Sequence, residues 1–149
     1  MIFSKSFGYT VRGILFITSM QEQKHFVQVE EIAAALSVPR HFMGKILKKL
    51  AKENMLASAK GPSGGFTINE NTPHISLLQL VQLTDGSSML DHCVMRLREC
   101  NGNMPCQMNE KMESWRTSLK LMLSNTTVKD LVRSDVNQFV KSLSDIQHD

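Results

Sequence analysis

The sequence predicts a mainly α-helical fold with one small β-hairpin, closed by a long C-terminal helix. Three observations carry that prediction. Two short helical stretches meet at a tight break, a Gly/Pro-rich turn lies between two short extended segments, and a breaker-free amphipathic stretch fills the last third. At 149 residues the chain suits one domain, or one compact module with an extension.

The elements follow in order. Ser6 to about Met20 reads as a helix, with Val11, Ile14, Leu15 and Thr18 on one side. Gln21 to His25 is polar and loop-like. Val29-Glu-Glu-Ile-Ala-Ala-Ala-Leu36 is rich in residues that favour helix. Ser37-Val-Pro39 breaks it, and Pro39 suits the first turn of a second helix from Arg40 to about Asn54. Met55–Lys60 and Phe66–Asn69 then flank Gly61-Pro-Ser-Gly-Gly65 as a hairpin. Ser76-Leu-Leu-Gln79 has capping-box spacing, and its helix stops near Thr84-Asp-Gly86. A long helix spans about Gln107 to Ser124, and a shorter one runs from Thr127 into the tail.

Helix, short turn, helix and hairpin is the order of a winged helix-turn-helix. The faces of the second helix give that order a function. Met43, Ile46, Leu47 and Leu50 form an apolar stripe at i, i+3, i+4 and i+7 spacing. His41, Lys45, Lys48 and Lys52 centre on the opposite side, with Arg40 and Lys49 on the flanks and no carboxylate before Glu53. A solvated lysine face is the alternative, but such faces usually intersperse Glu for i, i+4 pairing. A recognition helix puts its N-terminal residues against base edges in the major groove. That assigns base contact to His41, Phe42 and Lys45, and phosphate contact to Lys48, Lys49 and Lys52. Gly44 would let a neighbouring group approach closely, at about 1 kcal/mol of helix propensity relative to Ala.

The hairpin tip extends the same surface. Lys60, Gly61, Ser63 and Gly64 offer a cation, a hydroxyl and glycine amides to a phosphate or the minor groove. Glycine-rich tips also occur simply because tight turns require φ > 0. Walker spacing is absent, so a nucleotide phosphate loop is not indicated. Charge agrees with a polyanion docking at the first half: residues 1–70 hold nine Lys/Arg against five Asp/Glu, whereas residues 71–149 hold eight against nine. No apolar run approaches a membrane span, the N-terminus is amphipathic rather than signal-like, and a cytoplasmic location is expected. No carboxylate pair, Ser/His/Asp set or nucleotide loop points to an enzyme or a small-molecule substrate.

Several segments together resemble the IscR-like family of bacterial winged-helix repressors, which includes iron–sulfur, nitric-oxide and cysteine-metabolism regulators. They are Tyr9-Thr-Val-Arg12, Val29-Glu-Glu-Ile-Ala33, the basic helix, Lys60-Gly-Pro-Ser-Gly-Gly-Phe66, Ile75-Ser-Leu77 leading to Asp85-Gly86, the cysteine segment, and Thr126-Thr-Val-Lys-Asp-Leu131. The match covers nearly the whole chain. It implies a homodimer held by the long C-terminal helix on a palindromic double-stranded DNA operator, with Lys5 and Tyr9 of the first helix joining the DNA-facing residues. Met108, Met112, Trp115, Leu119 and Met122 independently alternate steps of four and three, the spacing of a seam between two helices. The organisation expected is 1–86 as the DNA-binding domain, 87–106 as a cysteine-containing sensor loop, and 107–149 as the dimerisation helix and tail.

All three cysteines, Cys93, Cys100 and Cys106, fall in CVMRLRECNGNMPC. In a reducing compartment three close thiolates suit an iron–sulfur cluster. The resemblance implies that all three are ligands, with a [2Fe–2S] centre ahead of [4Fe–4S]. Some family members take the fourth ligand from a His three residues beyond the last Cys, and that position is Asn109. Others use an acidic residue near the partner's N-terminus, where this chain has Ser6-Phe-Gly8. Asp91, His92, Glu110 and Glu113 are other nearby donors. A thiol–disulfide switch, a zinc site or structural cysteines are the alternatives to a cluster. A protein–protein module using the basic face on an acidic partner is the alternative to DNA binding.

Overall fold

The computed structural model describes residues 2–91, 106–132, 138 and 141–143. It is mainly α-helical with one antiparallel hairpin, as the sequence predicts. The elements are α1 (Lys5–Ser19), α2 (Val29–Leu36), α3 (Arg40–Lys52), β1 (Ala57–Ala59), β2 (Gly65–Thr67), α4 (Leu77–Asp85), α5 (Gln107–Asn125) and α6 (Val128–Leu131). Short 3₁₀ turns at Thr72–His74 and Met89–Asp91 are additional.

Local chemistry sets the boundaries. α1 begins one residue earlier than the periodicity indicates, because the Ser4 hydroxyl caps it by accepting from the Phe7 N–H at 3.1 Å. α3 ends at Lys52 rather than Asn54. Asn54 turns to the left-handed region at φ 57°, and its carbonyl accepts from the side-chain amides of Asn69 and Asn71. The expected capping box at α4 is present: the Ser76 hydroxyl accepts from the Gln79 N–H, and the Gln79 side chain accepts from the Ser76 N–H. Both strands are shorter than expected, with Ser58 opposite Phe66. The hairpin gains a neighbour instead, since Val27 and Phe66 exchange both backbone hydrogen bonds at 2.8 and 2.9 Å.

Ile14 and Ile17 of α1, Ile32 and Leu36 of α2, and Met43, Leu47 and Leu50 of α3 are fully enclosed and form the main core. α1 passes close to α3 at Gly13, where an added Cβ would stand 3.4 Å from the Met43 sulfur. A second cluster of Val81, Leu90 and Leu123 gathers Phe3, Phe7 and Leu119 around it. It fastens the N-terminal segment, α4 and α5 together. The chain is then tied back once more: the Leu77 N–H donates to the Thr126 carbonyl, and the Val128 N–H donates to the Ile75 carbonyl, each at 2.9 Å. Ile75-Ser-Leu77 and Thr126-Thr-Val128 are therefore paired backbones. Thr127 and Asp130 form the reciprocal cap of α6. Of the tail beyond α6, Leu143 joins the main core, and its carbonyl accepts from Arg12 Nη1 at 3.1 Å. Among the described residues, no helix is long and apolar enough to cross a membrane.

Candidate nucleic-acid interface

α3 separates its two faces as its periodicity requires. Met43, Leu47 and Leu50 are buried and Ile46 is half-buried, while His41, Phe42, Lys45, Lys48, Lys49 and Lys52 are exposed. Not every cation on this helix is at liberty. Arg40 Nη2 lies 2.6 Å from Glu30 Oε1, and Arg40 Nε donates to the same oxygen. The Glu30 carboxyl is held below the usual carboxylate range by its own backbone N–H and by Arg40. Sequence reasoning saw no acid on α3 and missed this partner because it stands on α2. Lys49 Nζ donates to the Leu83 carbonyl at 2.6 Å, which satisfies an end of α4. Lys45, Lys48 and Lys52 make no ion pair among the described residues. Lys5 is exposed at the start of α1, and Tyr9 is half-buried with the Arg12 guanidinium 5.3 Å from its ring centre.

Two glycines behave differently from the sequence expectation. Gly44 has room for a side chain, since an added Cβ would meet only Val29 Cγ1, at 3.8 Å. Nothing packed against α3 requires a glycine there. At the hairpin tip, Lys60, Gly61, Pro62 and Ser63 are exposed, whereas Gly64 is buried. The Gly64 N–H donates to the Gly61 carbonyl at 3.0 Å, and an added Cβ would lie 2.2 Å from the Ala59 carbonyl oxygen. Gly64 closes the turn and its amide is already used. Gly61, at φ 95° with open space beside it, is the exposed glycine of the tip. Gln28 Nε2 donates to the Pro62 carbonyl at 2.7 Å and so ties the tip to the start of α2.

Of the three thiols, Cys106 is free and half-buried at the N-cap of α5. Cys93, Cys100 and the neighbouring donor His92 lie outside the described residues. Among the described residues no group of three His, Cys, Asp or Glu side chains gathers as a metal site. The donors named from the sequence are unequally placed. Asn109 Oδ1 accepts from Arg116 Nη1 at 3.2 Å, Glu113 is 3.7 Å from the same nitrogen, and Asp91 pairs with Lys120 at 2.6 Å. Glu110 makes no ion pair among the described residues, and its N–H donates to the Cys106 carbonyl one turn back. Three thiols, one of them free and unpaired to any disulfide in the described structure, are a donor set that suits an iron–sulfur centre.

The profile of the Rrf2 family, described as iron-dependent transcriptional regulators, matches residues 3–134. The chain belongs to the Rrf2 family. It is 28% identical over 134 residues to a protein of Aquifex aeolicus named as a helix-turn-helix transcriptional regulator, a match covering 89% of this chain and 92% of that one. It is 24% identical over 140 residues to the regulator IscR of Cronobacter sakazakii, covering 94% and 83% respectively. Its fold is like that of CymR, the global cysteine regulator of B. subtilis, at a TM-score of 0.67 and 16% identity, covering 86% of this chain and 93% of the other. These relatives are named as regulators, not enzymes, and membership of the Rrf2 family carries DNA binding with it.

In this Rrf2 chain the apolar stripe of α5 divides. Met108, Trp115 and Met122, at successive heptad positions, are 46, 41 and 50% exposed. Leu119 instead packs on the second cluster, and Met112 is half-buried. One edge of the stripe thus holds α5 to α4, and the other stands open along the helix. Arg116, on the inner side, is only 7% exposed.

Proposed function

We propose that this Rrf2-family protein is a dimeric transcriptional repressor that binds a palindromic operator and is controlled by an iron–sulfur cluster on Cys93, Cys100 and Cys106. The observation that carries the DNA contact is the outer face of α3. His41, Phe42, Lys45 and Lys48 are exposed there, with the lysines outside any described ion pair, while Met43, Leu47 and Leu50 on the opposite face are buried. His41, Phe42 and Lys45 meet base edges; Lys48, together with Lys5 and Tyr9 of α1, follows the phosphates. Arg40 and Lys49 take the flanks of that footprint while holding α2 and α4 in register with α3. Lys60, Gly61 and Ser63 reach the backbone or minor groove from the hairpin tip, and Gly64 gives the tip its shape.

The exposed edge Met108–Trp115–Met122 supports dimerisation through α5, because three large apolar side chains in heptad register bury themselves best against a second copy. A two-fold dimer places its half-sites about one helical turn of DNA apart.

A cluster, [2Fe–2S] in preference to [4Fe–4S], would be held by the three thiolates and would supply a centre able to report cluster supply, nitric oxide or redox state. Cys106 would anchor it at the start of α5. With Asn109 engaged by Arg116, the fourth position falls to Asp91, His92, Glu110 or Glu113, of which Glu110 makes no ion pair among the described residues. Gain or loss of the centre would act on the DNA-binding helices through the segment that joins α4 to α5. DNA affinity and cluster affinity are then reciprocally coupled. Anaerobic purification with absorption spectroscopy and iron and sulfide assays tests this reading. A coloured, iron- and sulfide-containing dimer is expected. A colourless, iron-free protein that binds its operator fully would sink the cluster.

The free thiol of Cys106 supports a second reading, a thiol–disulfide switch in the same regulator. It predicts operator binding that responds to peroxide and dithiothreitol in iron-free protein, with loss of the response in Cys106→Ser.

A further inference from the structure

The N-terminal end of α3 carries an aromatic plate. Phe42 is 49% exposed, and its ring lies 4.3 Å from that of His41, centre to centre, at an interplanar angle of 35°. The residues that follow on this outer face are lysines, and among the described ring contacts that of Phe42 is with His41. It lies outside the main core, whose α3 positions are filled by Met43, Leu47 and Leu50. Phenylalanine has no donor or acceptor and cannot read a hydrogen-bond pattern. In the major groove the apolar group presented by a base pair is the 5-methyl of thymine. Meanwhile Arg40, the side chain of this turn able to grip guanine bidentately, has its guanidinium on Glu30 at 2.6 Å. The lysines further along contribute charge but no fork.

We infer that Phe42 is a specificity-determining residue that reads thymine through its methyl group, steadied by His41, so that each half-site contains a thymine facing the start of α3. This rests on α3 being the recognition helix. The probe is the full-length protein with duplexes it selects from a randomised library. Each thymine of the selected half-site is replaced in turn by 2′-deoxyuridine, which removes only the methyl. At one position per half-site the affinity should fall roughly fourfold, the worth of one buried methyl, and about fifteenfold when both half-sites are substituted. Phe42→Ala should lose a similar factor on the thymine duplex and become indifferent to deoxyuridine, while Phe42→Leu keeps part of the discrimination. Phe42 is exposed, so thermal melting of these variants should match the parent. Equal binding of thymine and deoxyuridine duplexes at every position would overturn the inference while leaving DNA recognition intact. So would discrimination that survives in Phe42→Ala and disappears in His41→Ala. Failure to enrich any sequence would overturn the recognition helix itself.

Discussion

At the scale of single residues, α3 shows why charge alone does not define a binding face. Lys48 is exposed and outside any described ion pair, while Arg40, two turns away, is already neutralised by Glu30. Lys48→Ala should lower the slope of log affinity against log salt by about one per half-site on any DNA sequence, measured by titration at several salt concentrations. Lys45→Ala should also relax base preference. Arg40→Ala should change the slope less, because Glu30 already neutralises the guanidinium and leaves it less free to displace counterions from a phosphate. Gly44 offers a separate test. Its open surroundings mean that Gly44→Ala should stabilise the protein by about 0.5–1 kcal/mol in thermal or urea melts, since Ala favours helix and restricts the unfolded chain. Affinity that drops despite that gain would show that DNA, not the fold, keeps the glycine. Gly65 is the opposite case. It sits at φ 134°, and an added Cβ would fall 2.4 Å from the Val27 carbonyl oxygen, so Gly65→Ala should cost on the order of 1–3 kcal/mol in the same melts.

Between elements, α4 acts as a clasp. Its end accepts Lys49 of α3 through the Leu83 carbonyl. One residue beyond Thr84, the Asp85 carboxylate accepts from both the backbone N–H and the hydroxyl of Ser4 at the head of α1. Burial on its own would raise the Asp85 carboxyl, but the bonds from Ser4 and Thr84 outweigh it and hold the group below the usual carboxylate range. A lowered folded-state pKa means that the contribution is present at neutral pH and disappears as pH falls through that range. Thermal midpoints should therefore decline on acidification. Asp85→Asn should melt lower than the parent at neutral pH, with the gap narrowing only as pH falls below the usual carboxylate range and the parent carboxylate itself takes up a proton. A gap that stays constant with pH would assign the loss to packing rather than to the charge.

For the molecule as a whole, α5 is the helix on which the proposed dimer rests. Trp115→Asp places a charge in the middle of the exposed Met108–Trp115–Met122 edge and should convert the proposed dimer to a monomer by sedimentation or light scattering. Operator affinity should fall by more than tenfold, because the second head no longer benefits from the first. A monomeric parent would remove the dimer from the proposal. What the sequence by itself determined is the part written in local spacing. The two faces of α3 follow from a 3.6-residue period, the hairpin from Gly/Pro chemistry, the α4 start from Ser76 and Gln79, and the length of α5 from an uninterrupted apolar rhythm. Each of those signals is satisfied within a few residues of itself. The tertiary structure alone decided which of the named side chains remain available. Glu30 occupies Arg40 across 10 residues, Leu83 occupies Lys49 across 34, and Asp85 holds Ser4 across 81. It also decided that Ile75-Ser-Leu77 and Thr126-Thr-Val128 pair with each other, and that Leu119 turns inward while Trp115 does not. Such partners meet only after the chain has folded, so no periodicity along the sequence encodes them.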